Sequence, residues 1–260
     1  LEDISGGCAA TVAYLDGSDW GGANMGVSVD ANGVLSGSKF MVPDAAQATW
    51  IAVIGSDTAG DAVVALVAGS DVAAQAQSPH ALIDLTKRAS TLDFTGVTAQ
   101  RVLSGDKVAS AIRDYLLIGA LLTAAEAVGS TSACLAGIVD YLKTRKQFGK
   151  LIGSFQALKH PTVDIYVGME HSRSLVYHAS SEIGNGPLSI EAEVACRMAK
   201  AKASDTIQYA GDRSVQFHGG FGFTWECDSS LFIRRAAWSQ QQFGDAMHHR
   251  KRLAPLLLDA

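Results

Sequence analysis

Apolar and polar residues change rhythm once along this chain. Up to about residue 103 they come in short β-branched or alternating runs, at 10–15, 26–29, 33–37, 50–54 and 62–67. Gly, Asp, Asn and Ser punctuate these runs at hairpin-like intervals, and a period of two marks half-buried strands. Asp30-Ala31-Asn32-Gly33 predicts a tight turn, because Asn-Gly tolerates positive φ. After Ser104-Gly105-Asp106 the period lengthens. Ile112, Leu116, Leu117, Leu121, Ala124, Val128, Leu135, Ile138, Val139 and Leu142 keep helical spacing. They predict one helix over 107–144, roughly 55 Å long at 1.5 Å per residue.

A second helix is expected over 156–183, with Pro161 in its first turn or kinking it, since proline cannot donate the helical bond. Gly184-Asn185-Gly186-Pro187 stops it. A third helix over 189–218 offers Ala192, Ala195, Ala199, Ala203, Ile207 and Ala210 as a small-residue packing face, and shorter helices follow at 229–242 and 245–258. The fold class is therefore α+β, mainly α. A small β-sandwich or barrel spans 1–103 and an antiparallel helical bundle spans 104–260.

Composition narrows the function classes. Across 260 residues, 21 Lys and Arg face 26 Asp and Glu, a mildly acidic balance that argues against nucleic acid as a partner. Cys8, Cys134, Cys196 and Cys227 form no CxxC pair and read as reduced thiols in a cytoplasmic protein, with no metal site at the usual spacing. The run 115–125 is interrupted by Gly and Thr and ended by Glu126, short of the ~20 residues that span a bilayer, so no membrane partner is expected.

The candidate chemistry gathers in 141–156, YLKTRKQFGKLIGSFQ, where the long helix ends, the chain turns through Gly149 and Gly153, and the next helix begins. Lys143, Arg145, Lys146 and Lys150 surround Phe148. Cations plus an aromatic at a helix end suit a phosphate-bearing ligand with a flat ring. They equally suit a solvated basic helix end favoured by the macrodipole, and the residues alone leave both readings open.

The pattern of Arg145-Lys146-Gln147-Phe148-Gly149 with Ile152, Phe155 and Gln156 resembles the acyl-CoA dehydrogenase family, and so does a second block, Gln216-Phe217-His218-Gly219-Gly220-Phe221-Gly222-Phe223 followed by Arg234. The resemblance implies a β middle domain and a C-terminal helical bundle, with the family's N-terminal helical domain falling before Leu1. It implies FAD as cofactor and α,β-desaturation of an acyl-CoA. Carried over residue by residue, Arg145, Phe148, Gln156, Gln216, Gly219 and Gly220 match the positions that reach the pyrophosphate and adenosine of a flavin held mainly by a neighbouring subunit.

Other family features are missing. The W-x-T/S motif that shields the flavin ring falls on Met41 and Pro43 when Gly37-Ser38-Lys39 is matched to the preceding turn, and proline offers neither hydroxyl nor amide hydrogen. The family's acidic stretch near the start has no counterpart in 1–17. The catalytic glutamate of an E-G pair is replaced by Phe243-Gly244, and the alternative base position on the long helix is Gly119. No catalytic residue is thus expected; Asp245 and Glu126 are the only carboxylates near enough to be weighed as relocated bases. The resemblance implies a non-catalytic subunit that completes the FAD site of a catalytic partner in an α2β2-type assembly. The alternatives are a self-sufficient enzyme using Asp245 or Glu126, and a flavin-free scaffold. The phrases Gly222-Phe223-Thr224-Trp225-Glu226 and Phe243-Gly244-Asp245-Ala246 resemble bacterial members that handle bulky CoA thioesters, including steroid side chains. Two lesser expectations concern the bundle: a solvated C-terminal helix carrying His248-His249-Arg250-Lys251-Arg252, and Trp225, Phe232 and Trp238 in core or interface.

Overall fold

The computed structural model describes residues 5–258, which fall into two compact units that part between Arg113 and Asp114. That point lies inside the first long helix, α1 (Lys107–Thr144), rather than before it.

Apart from Ser5, short 3-10 turns and the start of α1, the regular elements of the first unit are strands. Its centre is the hairpin of β5 (Trp50–Ser56) and β6 (Ala62–Ala68), paired from Trp50↔Ala68 to Ser56↔Ala62. Alternate positions Ile51, Val53, Val63, Ala65 and Val67 are buried, as a period of two requires. Around it lie β1 (Ala10–Ala13), β2 (Ser28–Val29), β3 (Leu35–Ser36) and β9 (Arg101–Leu103), which complete a six-stranded mixed sheet. A three-stranded sheet joins β4 (Ser38–Pro43), β8 (Ala89–Asp93) and β7 (Gln77–Pro79). In the β2–β3 turn only Gly33 takes positive φ; Asn32 does not, because Asp30 Oδ1 accepts its N–H at 2.8 Å and closes an Asx turn first.

Four strands, β4, β7, β8 and β9, escape the hydrophobic pattern, and Lys39 shows why. It lies in β4 with 0% of its surface exposed. Its Nζ donates to Asp16 Oδ1 (2.6 Å), the Tyr14 carbonyl (2.9 Å) and the Asn24 carbonyl (2.7 Å), so a charged side chain occupies a core position. Burial pulls its pKa down while Asp16 pulls the other way. We expect Lys39→Met to destabilise this unit by about 2–3 kcal/mol, at the low end for a broken ion pair because Asp16 is partly solvated. Denaturant unfolding checks it; a loss under 1 kcal/mol would show that the three oxygens find other donors.

The second unit is the bundle. Beyond α1 it holds α2 (Gln156–Ser181), α3 (Ile190–His218), α4 (Ser229–Gln241) and α5 (Ala246–Leu258), close to the expected bounds. Pro161 is accommodated inside α2 near its start. Ser189 caps α3, its hydroxyl accepting the Ala192 N–H at 3.2 Å, and Ala192, Ala195, Ala199, Ala203, Ile207 and Ala210 are all buried. Small residues let α2 and α3 approach closely: Ser172 and Thr206 share a hydrogen bond of 3.1 Å, and a Cβ on Gly168 would sit 3.1 Å from Thr206 Cγ2. Taken whole, α1 is long and apolar enough to cross a membrane, unlike the interrupted run 115–125, yet Leu117, Leu121, Ala124, Ile138 and Leu142 are buried in the bundle.

Candidate functional site

Between α1 and α2 the chain forms a two-stranded hairpin rather than a plain turn. β10 (Lys146–Gln147) and β11 (Lys150–Leu151) pair antiparallel, with Phe148 and Gly149 as the loop. Both loop residues have positive φ, 53° and 78°, the signs a two-residue hairpin demands. Glycine adopts this readily; a bulky aromatic residue does so at a cost of about 1–3 kcal/mol. Phe148 is nonetheless 90% exposed, so packing does not explain it. Phe148→Gly should therefore raise stability by about 1 kcal/mol, a few degrees in Tm, while removing the ring. An unchanged or lower Tm would mean that the loop carries no strain.

Phe148 borders a cleft of about 680 Å³ lined also by Tyr141, Arg145, Phe155, Phe217, His218, Gly219 and Gly220. Lys150 Nζ lies 4.6 Å above the Phe155 ring, and Phe148 meets Phe155 edge-on. On the far wall α3 ends at Gly219, whose φ of 61° and ψ of −143° suit glycine alone. A Cβ built on Gly219 or Gly220 would meet nothing within 4 Å, so backbone faces open space there. Gly153 serves packing instead, its built Cβ lying 2.7 Å from the Leu142 carbonyl.

Four of the six residues matched to the nucleotide tail, Arg145, Phe148, Gly219 and Gly220, thus meet at one cleft. Gln156 and Gln216 do not line it. Both are exposed, Gln156 opening α2 and Gln216 on the last turn of α3, where its carbonyl accepts the Gly219 N–H. Sequence reasoning passed over Tyr141, although its place one helical turn before Arg145 puts it on the same face.

The base positions come together as well. Gly119 on α1 lies under the Phe243 ring: a Cβ there would sit 2.5 Å from Phe243 Cζ and 2.6 Å from Cδ1. Phe243 has φ 56° and stands edge-on to Tyr115 at 5.7 Å. The loop carrying it is held from below by Lys200, which is 1% exposed. Lys200 Nζ lies within hydrogen-bond range of the carbonyls of Ser239 (3.1 Å), Gln240 (3.2 Å) and Gly244 (2.9 Å) and of Ser204 Oγ (2.9 Å). Burial drives its pKa down to about 7, against the pull of Asp245. His249 Nε2 donates to the Phe243 carbonyl at 3.0 Å, while its Nδ1 has no partner among the described residues. Burial first, then Lys200, His248 and Arg197, push that imidazole down to about 3. The basic run at 248–252 is thus not wholly solvated: a helical step of ~100° turns His249 inward.

Both candidate carboxylates make contacts within the bundle. Asp245 caps α5, Oδ1 accepting the His248 N–H at 2.7 Å. Glu126 pairs with Arg235 at 2.5 Å. In the first unit Met41 sits at the irregularity between Lys39 and Val42 with φ 53°, and Pro43 is exposed, its carbonyl accepting Thr11 Oγ1 at 2.7 Å. Trp225 is no core residue: it is 67% exposed with the Arg234 guanidinium 4.1 Å over its ring, whereas Phe232 packs against the core at the cleft end of the bundle. Cys134, Cys196 and Cys227 are buried and Cys8 is half-buried; burial raises Cys134 and Cys196 to about 11.

The described residues thus combine a β unit and a helical bundle with a cationic, aromatic hairpin and open glycine backbone at one cleft. Residues 109–255 match the family described as acyl-CoA dehydrogenase, C-terminal domain, and the chain belongs to the acyl-CoA dehydrogenase family. It is 38% identical over 134 residues to acyl-CoA dehydrogenase IpdE2 of Mycolicibacterium smegmatis, covering 52% of this chain and 40% of that one. IpdE2 of Mycobacterium tuberculosis is 40% identical over 122 residues, 47% of this chain and 36% of its own length. The match therefore spans less than half of these relatives. Among solved structures, the ChsE4-ChsE5 complex from Mycobacterium tuberculosis superposes with a TM-score of 0.83 at 24% identity, covering 99% of this chain and 68% of that one. The Tcur3481-Tcur3483 steroid ACAD variant gives 0.83 at 23%, covering 98% and 69%. Members of the family are FAD-binding flavoproteins.

Proposed function

We propose that this chain is the non-catalytic subunit of a heteromeric acyl-CoA dehydrogenase, supplying the nucleotide-tail half of a flavin site whose reactive ring and base belong to a partner subunit. The observation that carries this is the Phe243 ring lying over Gly119. Neither position at which the family places its base carries a carboxylate here, and the Phe243 ring fills the space that a side chain at 119 would need.

The cleft fits the tail. Arg145 offers a guanidinium for pyrophosphate, Phe148 a ring for adenosine, and Gly219 and Gly220 backbone that a ligand can approach closely. Met41 and Pro43 do not fit the ring, since proline carries no donor. When bound, the flavin supplies the hydride acceptor for α,β-desaturation of a CoA thioester; this chain's residues bind and orient its tail and hold no proton in the reaction. A self-sufficient enzyme draws no support from Asp245 or Glu126, both engaged in structural contacts.

A partner also suits the exposed apolar surface. Val163, Tyr166, Val167 and Tyr177 are all exposed on α2, as is Leu122 on α1. A solvent-facing stripe of this kind is an interaction surface in a soluble assembly. Two solved neighbours are named as pairs of unlike chains, which supports a hetero-oligomer; we take it as α2β2, and the 222–226 phrase favours a bulky, steroid-like acyl group.

Co-expression with a family chain that carries an E-G glutamate, followed by native mass and flavin absorbance, tests the reading. One flavin per pair of unlike chains is expected, with Arg145→Ala in this chain releasing it. Two flavins per pair, or desaturation by this chain alone, would refute it; an assembly without flavin would favour the scaffold.

A further inference from the structure

We propose that His218 reads the adenine of the bound nucleotide, its Nε2 accepting a hydrogen bond from the exocyclic amine. This rests on the reading of the cleft as the nucleotide-tail site and adds the residue that selects the base.

The hydrogen bonds on the inner edge of the imidazole fix its tautomer. Nδ1 lies 2.7 Å from the Ser214 carbonyl, which can only accept, so Nδ1 carries the proton. Ser229 Oγ, 2.9 Å from the same nitrogen, receives the Ser214 hydroxyl at 2.9 Å and the Cys227 thiol at 3.3 Å, a buried network that holds the ring edge in place. One face of the ring stacks on Tyr141, with centroids 4.1 Å apart and an interplanar angle of 28°. Both rings line the cleft beside Gly219 and Gly220. With Nδ1–H spent inward, Nε2 is left as a lone-pair acceptor, and no described residue donates to it. A neutral acceptor of this kind is of no use to a pyrophosphate, which needs donors, and suits a nucleobase amine. Ser214 and Ser229, behind the ring, set which nitrogen is free, so the discrimination is built by residues that never reach the ligand.

The probe is ADP, with IDP as the comparison, because IDP carries an oxygen acceptor where ADP carries the amine. Nitrogen-15 histidine spectra at pH 8 should show His218 as the Nδ1–H tautomer, and ADP should move its Nε2 resonance while IDP does not. His218→Phe keeps a ring for the stack and removes the acceptor. It should weaken ADP about tenfold, as one hydrogen bond does at the upper end, and abolish the ADP over IDP preference, while His218→Gln restores part of it. An Nε2–H tautomer overturns the proposal. So does ADP binding that shifts Phe148 and Gly219 signals but leaves Nε2 and the IDP preference unaltered, in which case the cleft reading survives. If ADP shifts none of the cleft signals, the nucleotide-tail reading itself fails and takes this proposal with it.

Discussion

Lys200→Ala should destabilise the bundle by about 3–5 kcal/mol, because it leaves three carbonyls under the Phe243 loop without a donor. The charge sits at the C-terminal end of α4, where the carbonyls of Ser239 and Gln240 would otherwise point into protein. Lys200→Met, which keeps the stem but not the head, separates lost packing from lost hydrogen bonding and should recover only part of the deficit. Lys200 and His249 together give the bundle a pH signature. Lys200 falls from its ordinary 10.5 to about 7 on folding, so the unfolded chain binds the extra proton between those values. Stability then rises as pH climbs from 7 to 10.5. His249 falls from 6.5 to about 3, so stability is complete above 6.5 and is lost as pH drops towards 3. Urea midpoints across pH 3–10.5 should show both slopes. Lys200→Met should flatten the alkaline one and His249→Phe the acid one; slopes unchanged in these variants would remove both groups from the account.

Placing a side chain at Gly119 should be nearly as damaging. Alanine normally strengthens a helix interior by about 1 kcal/mol over glycine. Here the added methyl falls inside the Phe243 ring, whose backbone is already in a left-handed conformation and whose edge rests on Tyr115. Overpacking of this kind costs about 1–3 kcal/mol, and the net expectation is a loss. Removing the ring should reverse the sign: in a Phe243→Gly background Gly119→Ala should stabilise. A double-mutant cycle on thermal or urea unfolding reads this coupling directly. Additive effects would mean that the two residues do not share the space.

The bundle was legible because long helices repeat their pattern many times, and the small-residue stripe on α3 could be read before any neighbour was known. The two motif blocks were legible for a different reason: glycines beside charged and aromatic residues are uncommon enough to mark a site. Other features hid. β4 carries Lys39 where a strand pattern wants an apolar residue, and only Asp16, Tyr14 and Asn24, far off in sequence, make that lysine tolerable. The Phe148 hairpin hid because a bulky aromatic residue is the last to be expected at positive φ. His249 was read as solvated with its basic neighbours, since helical phase near a chain end cannot be fixed without knowing what the helix packs against. Bundle spacing leaves Trp225 open between core and interface, and only the fold puts it at the surface, with Arg234 over its ring.

The interlock of Gly119 and Phe243 also bears on the chain's history. A single volume serves both acid positions that the family resemblance implies, so a lineage can move its carboxylate from one to the other only by vacating the first. In this chain that volume has been sealed with an aromatic ring. Glutamate at 119 cannot enter until 243 shrinks, and glutamate at 243 would leave the flavin-ring positions at Met41 and Pro43 still unsuited. On the proposed reading, placing an acid at 119 would thus take at least two coordinated substitutions, one of them at Phe243.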